Sequence, residues 1–120
     1  MKIEHHIVAD TKIAEVISDD IIIYTAEHGL NLLVNLYYQS FDKIIIHEKN
    51  ISPDFFDLKN GIAGEILQKF SNYRVRLAIV GDFAQYSSKS LKGFIYESNN
   101  VGQINFVDST SQALKILSNK

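Results

Sequence analysis

The sequence predicts an α/β fold with a mostly parallel sheet and an antiparallel hairpin at its N-terminal edge. Short apolar segments alternate with amphipathic segments of about 12 residues, which is the pattern of parallel strands joined by crossover helices. The first two apolar segments are separated by only a few turn residues, which favours a hairpin. The predicted order is β-β-α-β-α-β-α-β-α, in a single domain over residues 1–120.

Composition and charge limit the classes of function. The chain has a formal net charge of −2 and no cysteine, so we expect neither duplex nucleic-acid binding, which normally needs a basic patch, nor thiolate metal sites. No apolar run reaches the roughly 18–20 residues of a membrane span, and the first residues do not resemble a signal peptide. We therefore expect a cytoplasmic protein with no nucleic-acid or membrane partner.

The N-terminal half divides into a hairpin, a helix and a buried strand. Residues 2–9 alternate in polarity as a half-buried strand does, and residues 13–17 follow as its hairpin partner. Thr25 predicts the N-cap of a helix that extends through Tyr38. Residues 44–46 are apolar on both faces, which is typical of an interior strand covered by helices.

The second half alternates regularly between helices and strands. Ser52 followed by Pro predicts a helical start, with a short turn at 53–57 and then a helix over about 59–72. Gly61 and Gly64 in this helix suggest close approach of another part of the chain, because glycine otherwise weakens a helix. The remaining predicted elements are a strand at 75–80, a helix capped by Ser87 or Ser88 and ending near 99–100, a strand at 104–107, and a helix opened by a capping box from Ser109 to Gln112.

Six stretches of the chain carry a specific resemblance. They are HE at 47–48, SPDFFDL at 52–58, GIAGEILQKF at 61–70, YRVRLAIVGDF at 73–83, YSSKSL at 86–91 and FIYESN at 94–99. Together they closely resemble a family of small bacterial proteins, domain of unknown function 4180. The resemblance covers most of the chain and implies no known activity.

A looser resemblance, in topology and order of elements, is to the sulfate-transporter and anti-sigma-factor-antagonist (STAS) domain. That family also begins with a hairpin, carries an Asp-Ser-Ser-Gly turn before an amphipathic helix, and ends in a helix with an Ala-Leu pair, here at 113–114. In that family a partner kinase phosphorylates the Ser after the Asp. The counterpart here is one residue longer, and the phospho-acceptor falls on Leu58 when aligned on Asp57 or on Lys59 when aligned on Gly61. The resemblance thus implies a STAS-like fold without the phospho-switch at this turn.

Polar residues collect where the predicted central strands end. Because ligands of open parallel sheets bind beyond the carboxyl ends of the strands, we expect one shared rim there. A His among several carboxylates could hold a divalent metal or perform acid–base chemistry. The candidate binding residues are His47, Glu48, Asp54, Asp57, Asn60, Gly61, Asp82, Tyr86, Ser87 and Ser88.

A simpler structural interpretation competes with this one. Asp57 can cap a helix, His47 can bond a backbone carbonyl, and Glu48 can be solvated. The adjacent residues His5 and His6 point to opposite faces of a strand and cannot chelate one ion together, and His28 lies early in a helix. No nucleophile elbow, dinucleotide fingerprint or P-loop is present, so the sequence predicts no catalytic residue, no metal ligand and no cofactor.

Three hypotheses of function remain open, the third of which is a purely structural dimer that an exposed apolar helix face would favour. The first is a non-catalytic protein-binding or regulatory module that presents the turn at 52–61 and the loop at 82–90 to a protein partner or to a second copy of itself. The second is a small-molecule-binding protein or enzyme that uses His47, Glu48, Asp57 and Asp82. Aromatic residues near the rim, some of them expected in the core, favour the first hypothesis if they are exposed; they are Phe55, Phe56, Phe83, Tyr86 and Tyr96.

Overall fold

The computed structural model describes residues 1–119 and contains the predicted order of elements. The strands are β1 (Lys2–Val8), β2 (Thr11–Ile17), β3 (Lys43–His47), β4 (Arg76–Val80) and β5 (Ile104–Val107). The helices are α1 (Ala26–Tyr37), α2 (Ile62–Tyr73), α3 (Lys89–Val101) and α4 (Thr110–Ser118). Three 3₁₀ turns, at Glu48–Asn50, Pro53–Phe56 and Leu58–Asn60, lie between β3 and α2. None of the described helices is both long and apolar enough to cross a lipid bilayer.

One sheet contains all five strands in the order β1-β2-β3-β4-β5. β1 pairs antiparallel with β2, and each later strand pairs parallel with the one before it. Each parallel connection therefore moves one strand in the same direction, and right-handed crossovers place the helices between them on one face of the sheet. The predicted α/β fold, with the order β-β-α-β-α-β-α-β-α, a mostly parallel sheet and an N-terminal antiparallel hairpin, is confirmed.

The core lies in two layers, one on each face of the sheet. The larger layer joins alternate strand residues such as Ile44 and Leu77 to α1, α2 and the partly buried residues of α3. The smaller layer packs α4, through Ala113 and Leu117, against the intervening strand residues, among them Ile45. Because α4 is short and single, the sheet face that it covers has room for polar side chains near the ends of β1, β2 and β3.

The glycines that pack closely differ from the ones that the sequence suggested. α2 begins at Ile62, after a left-handed Gly61 (φ 79°) that ends the preceding 3₁₀ turn, and a Cβ on Gly61 or Gly64 would meet nothing within 4 Å. The close approach is instead at Gly29 of α1, where a Cβ would lie 3.1 Å from Ile66. Gly61 is therefore needed for its conformation, whereas the missing side chain of Gly29 lets α1 and α2 pack together.

Arg76 connects the carboxyl ends of two helices. Its Nε donates to Gly102 O at 2.9 Å and its Nη1 to Ile116 O at 3.3 Å, while Nη2 donates to Asn105 Oδ1 at 3.2 Å. A guanidinium is well suited to this position, because the last carbonyls of a helix lack partners within the helix and carry partial negative charge. Arg76 thus stabilises the attachment of α4 to the sheet.

Asn50 joins the turn after β3 to the loop after β2. Its side chain is fully buried, and Nδ2 donates to Ser18 O at 2.8 Å and to Asp20 O at 2.9 Å. Its Oδ1 accepts from the backbone N–H of His47 at 3.3 Å, and its own carbonyl accepts from Ile22 N at 2.7 Å. One residue therefore satisfies the backbone of two loops that lie about 30 positions apart in the chain.

Replacing Asn50 with Ala should lower the free energy of unfolding by roughly 2–4 kcal/mol, because it leaves two part-buried carbonyls and one N–H without their partner and removes a fully buried side chain. Urea denaturation followed by circular dichroism measures the change. Asn31→Ala, at an exposed position of α1, is the matched control and should change the free energy by less than about 0.7 kcal/mol. Equal effects of the two substitutions would contradict the assigned role of Asn50.

The hairpin between β1 and β2 turns on two residues in the left-handed region. Val8 pairs with Thr11, and the intervening Ala9 and Asp10 have φ of 51° and 65°. These angles define a type I′ turn, which favours Asn-Gly because residues with a Cβ are strained there.

The double substitution Ala9→Asn and Asp10→Gly should therefore raise the free energy of unfolding by about 1 kcal/mol. Ala9→Val, which introduces a β-branched residue at the same position, should lower it. Thermal and urea denaturation measure both changes, and stabilisation by Val would show that the turn has another conformation.

Candidate functional site

The predicted rim contains several helix caps. Ser52 Oγ accepts from the N–H of Asp54 at 3.3 Å, Asp57 Oδ1 from that of Lys59 at 3.3 Å, and Ser88 Oγ from that of Leu91 at 3.2 Å. These bonds satisfy N–H groups that have no partner within their own helical turns. Asp57 and Ser88 therefore fix the shape of the backbone at the rim.

Asn60 and Gly61 complete the turn that precedes α2. Asn60 Nδ2 donates to Asp54 O at 2.6 Å, and its Oδ1 accepts from the N–H of Ile62 at 3.0 Å. Asp54 thus takes part through its backbone, with an exposed side chain. The amide of Asn60 performs at the start of α2 the role that a capping Ser or Asp performs elsewhere, since Gly61 has no side chain.

Glu48 anchors the loop that follows β4. Its Oε1 accepts from the N–H of Asp82 at 3.2 Å, and its Oε2 accepts from Gln85 Nε2 at 3.1 Å and from the hydroxyl of Tyr86. A Cβ on Gly81 would lie 2.5 Å from Oε1, so only glycine lets the backbone approach this carboxylate. Glu48 is consequently a bonded part of the loop and not a solvated side chain.

Tyr86 belongs to a half-buried aromatic cluster at this rim, formed with Phe56 and Phe83. Its ring stacks on Phe56 with the ring centroids 4.9 Å apart, and Phe83 lies 6.1 Å from Phe56. Phe55, by contrast, is in the core, and Tyr96 is exposed on α3. Burial, the hydrogen bond to Glu48 and the negative charges of Glu48 and Asp82 raise the pKa of Tyr86 above the ordinary value for tyrosine, because each of them disfavours the phenolate.

A groove lies between the two segments that the sequence placed at the rim. It has a volume of about 540 Å³ and is lined by Phe56, Asp57, Leu58, Lys59, Ser88 and Ser90. Phe56 and Leu58 are partly buried and pack against the core, whereas the other lining residues are exposed. Ser87 is exposed beside it, in the loop before α3. The groove, called here the rim groove, has an apolar floor and polar walls.

His47 lies in a different cluster, on the sheet face that α4 partly covers. Its Nε2 is 2.7 Å from Oε2 of Glu15, and Nε2 of His6 is 2.8 Å from Oε1 of the same carboxylate. Glu4 is the direct register partner of Glu15 across β1 and β2. Each imidazole binds the carboxylate through a ring N–H, so Glu15, of which only 6% is exposed, has a partner on both oxygens.

The structure thus divides the predicted residues between two places. At the rim, Glu48 and Asp82 meet in the loop after β4 and Asp57 lines the rim groove. On the other sheet face, His47 and His6 each contact Glu15. The sequence analysis did not identify Glu4, His6 and Glu15. The alternation of β1 gave the face of its side chains, but the register of β1 against β2 is what brings these three residues together.

The order of elements, the N-terminal hairpin and the two layers place this protein in the α/β class, with a mostly parallel five-stranded sheet. The sequence profile of DUF4180, described as a domain of unknown function, matches residues 8–117, and the chain belongs to this family. No curated protein matches the sequence. A crystal structure described as "a putative anti-sigma factor antagonist" from Thermotoga maritima is similar with a TM-score of 0.47 and 14% identity, over 98% of this chain and 95% of that one.

The raised pKa of Tyr86 gives a prediction for stability at high pH. The unfolded chain loses the phenolic proton near the ordinary tyrosine pKa of 10.0, while the folded protein still holds it, so stability falls as pH rises above that value. Tyr86→Phe should remove this part of the decline between about pH 8 and about pH 11, and Tyr96→Phe, at a 66% exposed ring, should leave it unchanged. Urea denaturation across this range compares the two slopes, and identical slopes would contradict the prediction.

Proposed function

We propose that this protein is a non-catalytic, cytoplasmic binding module that contacts a protein partner through the rim groove and the aromatic cluster beside it. The observation that carries the proposal is the fixed shape of this surface. In the turn at 52–61 and the loop at 82–90, side chains make hydrogen bonds to nearby backbone groups and so hold the backbone in place. Asp57, Asn60 and Ser88 are the examples described above. A surface held in one conformation loses little entropy when a partner binds.

The chemistry of the rim groove supports a protein as the occupant. An apolar floor of Phe56 and Leu58 inside a polar wall resembles the centre of a protein interface, where an apolar anchor enters a pocket and polar groups surround it. Lys59 and Asp57 stand on the same wall with opposite charges, which suits a polar peptide backbone better than a strongly charged ligand. The proposed anchor is an apolar side chain of the partner.

The geometry gives less support to an enzyme built on the predicted set of His47, Glu48, Asp57 and Asp82. Glu48 already accepts three hydrogen bonds from the loop at 82–86. Asp57 is a cap, and the imidazole of His47 is bonded to Glu15. General acid–base chemistry requires the two groups to reach the same proton, and these side chains are directed to separate partners.

Substitution in the rim groove tests the proposal. Leu58→Lys places a charge on the apolar floor, and Lys59→Glu reverses the charge of an exposed wall residue without disturbing the core. Affinity purification from the host should recover a stoichiometric protein partner with the wild type. Recovery should fall at least about tenfold with each variant, as expected when a residue worth about 1.4 kcal/mol at an interface is lost.

Val101→Lys is the matched control, because Val101 is 74% exposed at the other end of α3, about 18 Å along the helix from its N-terminus. It should recover the same partner at the wild-type level. Native mass spectrometry of the purified protein provides an independent outcome. A retained small molecule in place of a second chain, or a partner that all three variants bind equally, would contradict the proposal.

A further inference from the structure

The cluster around Glu15 has the arrangement of a metal site. One ligand atom from each of Glu4, His6 and Glu15 can be chosen such that all three atoms lie within 4.8 Å of one another. The three residues come from the adjacent strands β1 and β2, whose pairing extends from Lys2 to Ile17. Side chains on a paired sheet keep their spacing, so these donors are held together before any ligand binds.

The charges of the cluster favour a cation. Glu4 lies directly opposite Glu15 in the antiparallel ladder, and like charges in this position destabilise a sheet. Only 6% of Glu15 is exposed. A carboxylate that is buried to this extent destabilises the fold unless it is paired. Within residues 1–119, the basic groups within salt-bridge distance of Glu15 are the imidazoles of His6 and His47, and no Lys or Arg is among them.

We propose that Glu4, His6 and Glu15 bind a divalent transition metal ion of the zinc type, and that His47 positions Glu15 from outside the coordination sphere. This site lies on another part of the molecule than the rim groove and does not depend on the proposed function. A divalent ion between the carboxylates of Glu4 and Glu15 would attract both of them and so offset their mutual repulsion. The imidazole of His6 would then contribute its Nε2 lone pair in place of the hydrogen bond to Glu15.

The donor set distinguishes between classes of metal. Imidazole nitrogen with carboxylate oxygen suits Zn²⁺ and its first-row neighbours, whereas Mg²⁺ and Ca²⁺ prefer oxygen donors alone. Zinc bonds of about 2.0–2.1 Å in a tetrahedron separate two donors by about 3.3 Å. His6 Nε2 and Glu15 Oε1 are now 2.8 Å apart, so binding requires them to separate by only about half an ångström, which side-chain rotation can provide.

His47 completes the arrangement from β3. Its Nε2 lies 2.7 Å from Oε2 of Glu15, which leaves Oε1 directed toward His6. Partners of this kind orient a ligating carboxylate. A cleft of about 270 Å³ opens beside His47 and is lined by Ile17, Ser18, Asp19 and Lys49. Three protein ligands leave a fourth position of a tetrahedral ion for water or another small donor.

Calorimetric titration of Zn²⁺ into chelator-treated, full-length protein without a polyhistidine tag tests the proposal. The expected result is one Zn²⁺ per chain, with Ca²⁺ and Mg²⁺ at least about 100-fold weaker. His6→Gln and Glu4→Gln should each weaken Zn²⁺ binding at least about 100-fold, since each removes a direct ligand. His47→Gln should weaken it by about 10- to 100-fold, as substitution of an outer partner does.

His5→Gln is the matched control, because His5 is the next residue of the same strand and lies on the opposite face against Phe41. It should leave the affinity for Zn²⁺ within about twofold of the wild type. Circular dichroism of each metal-free variant shows whether it is folded. If the His6→Gln variant does not fold, Glu4→Gln still tests the proposal, because Glu4 is exposed and its substitution does not disturb the core. Three results would overturn the proposal: the same loss of Zn²⁺ affinity in the His5 and His6 variants, equal affinity of the wild type for Zn²⁺ and Ca²⁺, or no stoichiometric Zn²⁺ binding by the wild type. The cluster would then be a purely structural hydrogen-bond network.

Discussion

The buried carboxylate of Glu15 constrains the N-terminal half of the sheet more than any other polar group. A carboxylate that is 6% exposed costs several kcal/mol unless both of its oxygens are satisfied. The partners come from both flanking strands, His6 of β1 and His47 of β3. A slip of either strand by one residue would turn its histidine to the other face and leave a buried charge unpaired. The requirement to satisfy Glu15 therefore specifies the register in which the hairpin joins the parallel sheet.

The direction in which the sheet grows explains where polar residues are tolerated. Each crossover from β2 to β5 adds a strand on the same side, and right-handed connections place α1, α2 and α3 together on one face. Among residues 1–119, α4 is the one helix on the other face, where it packs against Ile13, Ile45, Ala78 and Val107. Beyond the reach of α4, the strand ends are open to polar side chains, and the residues found there are Glu4, His6, Glu15 and His47. The same topology that builds the larger core thus leaves room for this cluster.

Local sequence signals made most of the fold predictable, whereas contacts between residues far apart in the chain could not be predicted from the sequence. Thr25, Ser88 and Ser109 cap helices as predicted because a cap depends on residues three positions apart. The His47–Glu15 contact joins residues 32 positions apart, and it depends on strand order and register, which alternation alone does not give. The glycines follow the same rule, since the left-handed conformation of Gly61 is a local property, whereas the packing of Gly29 on Ile66 requires two helices to meet.

The turn after β3 connects the two surfaces of this protein. His47 and Glu48 are consecutive, yet one side chain binds Glu15 and the other binds the loop at 82–86. Asn50 holds the backbone N–H of His47 and the loop after β2 at the same time. The positions of both side chains therefore depend on a single 3₁₀ turn, whose geometry is fixed by a fully buried amide. Any displacement of this turn must alter the partner of Glu15 and the anchor of the rim together, so the two surfaces share one structural support although their chemistry differs.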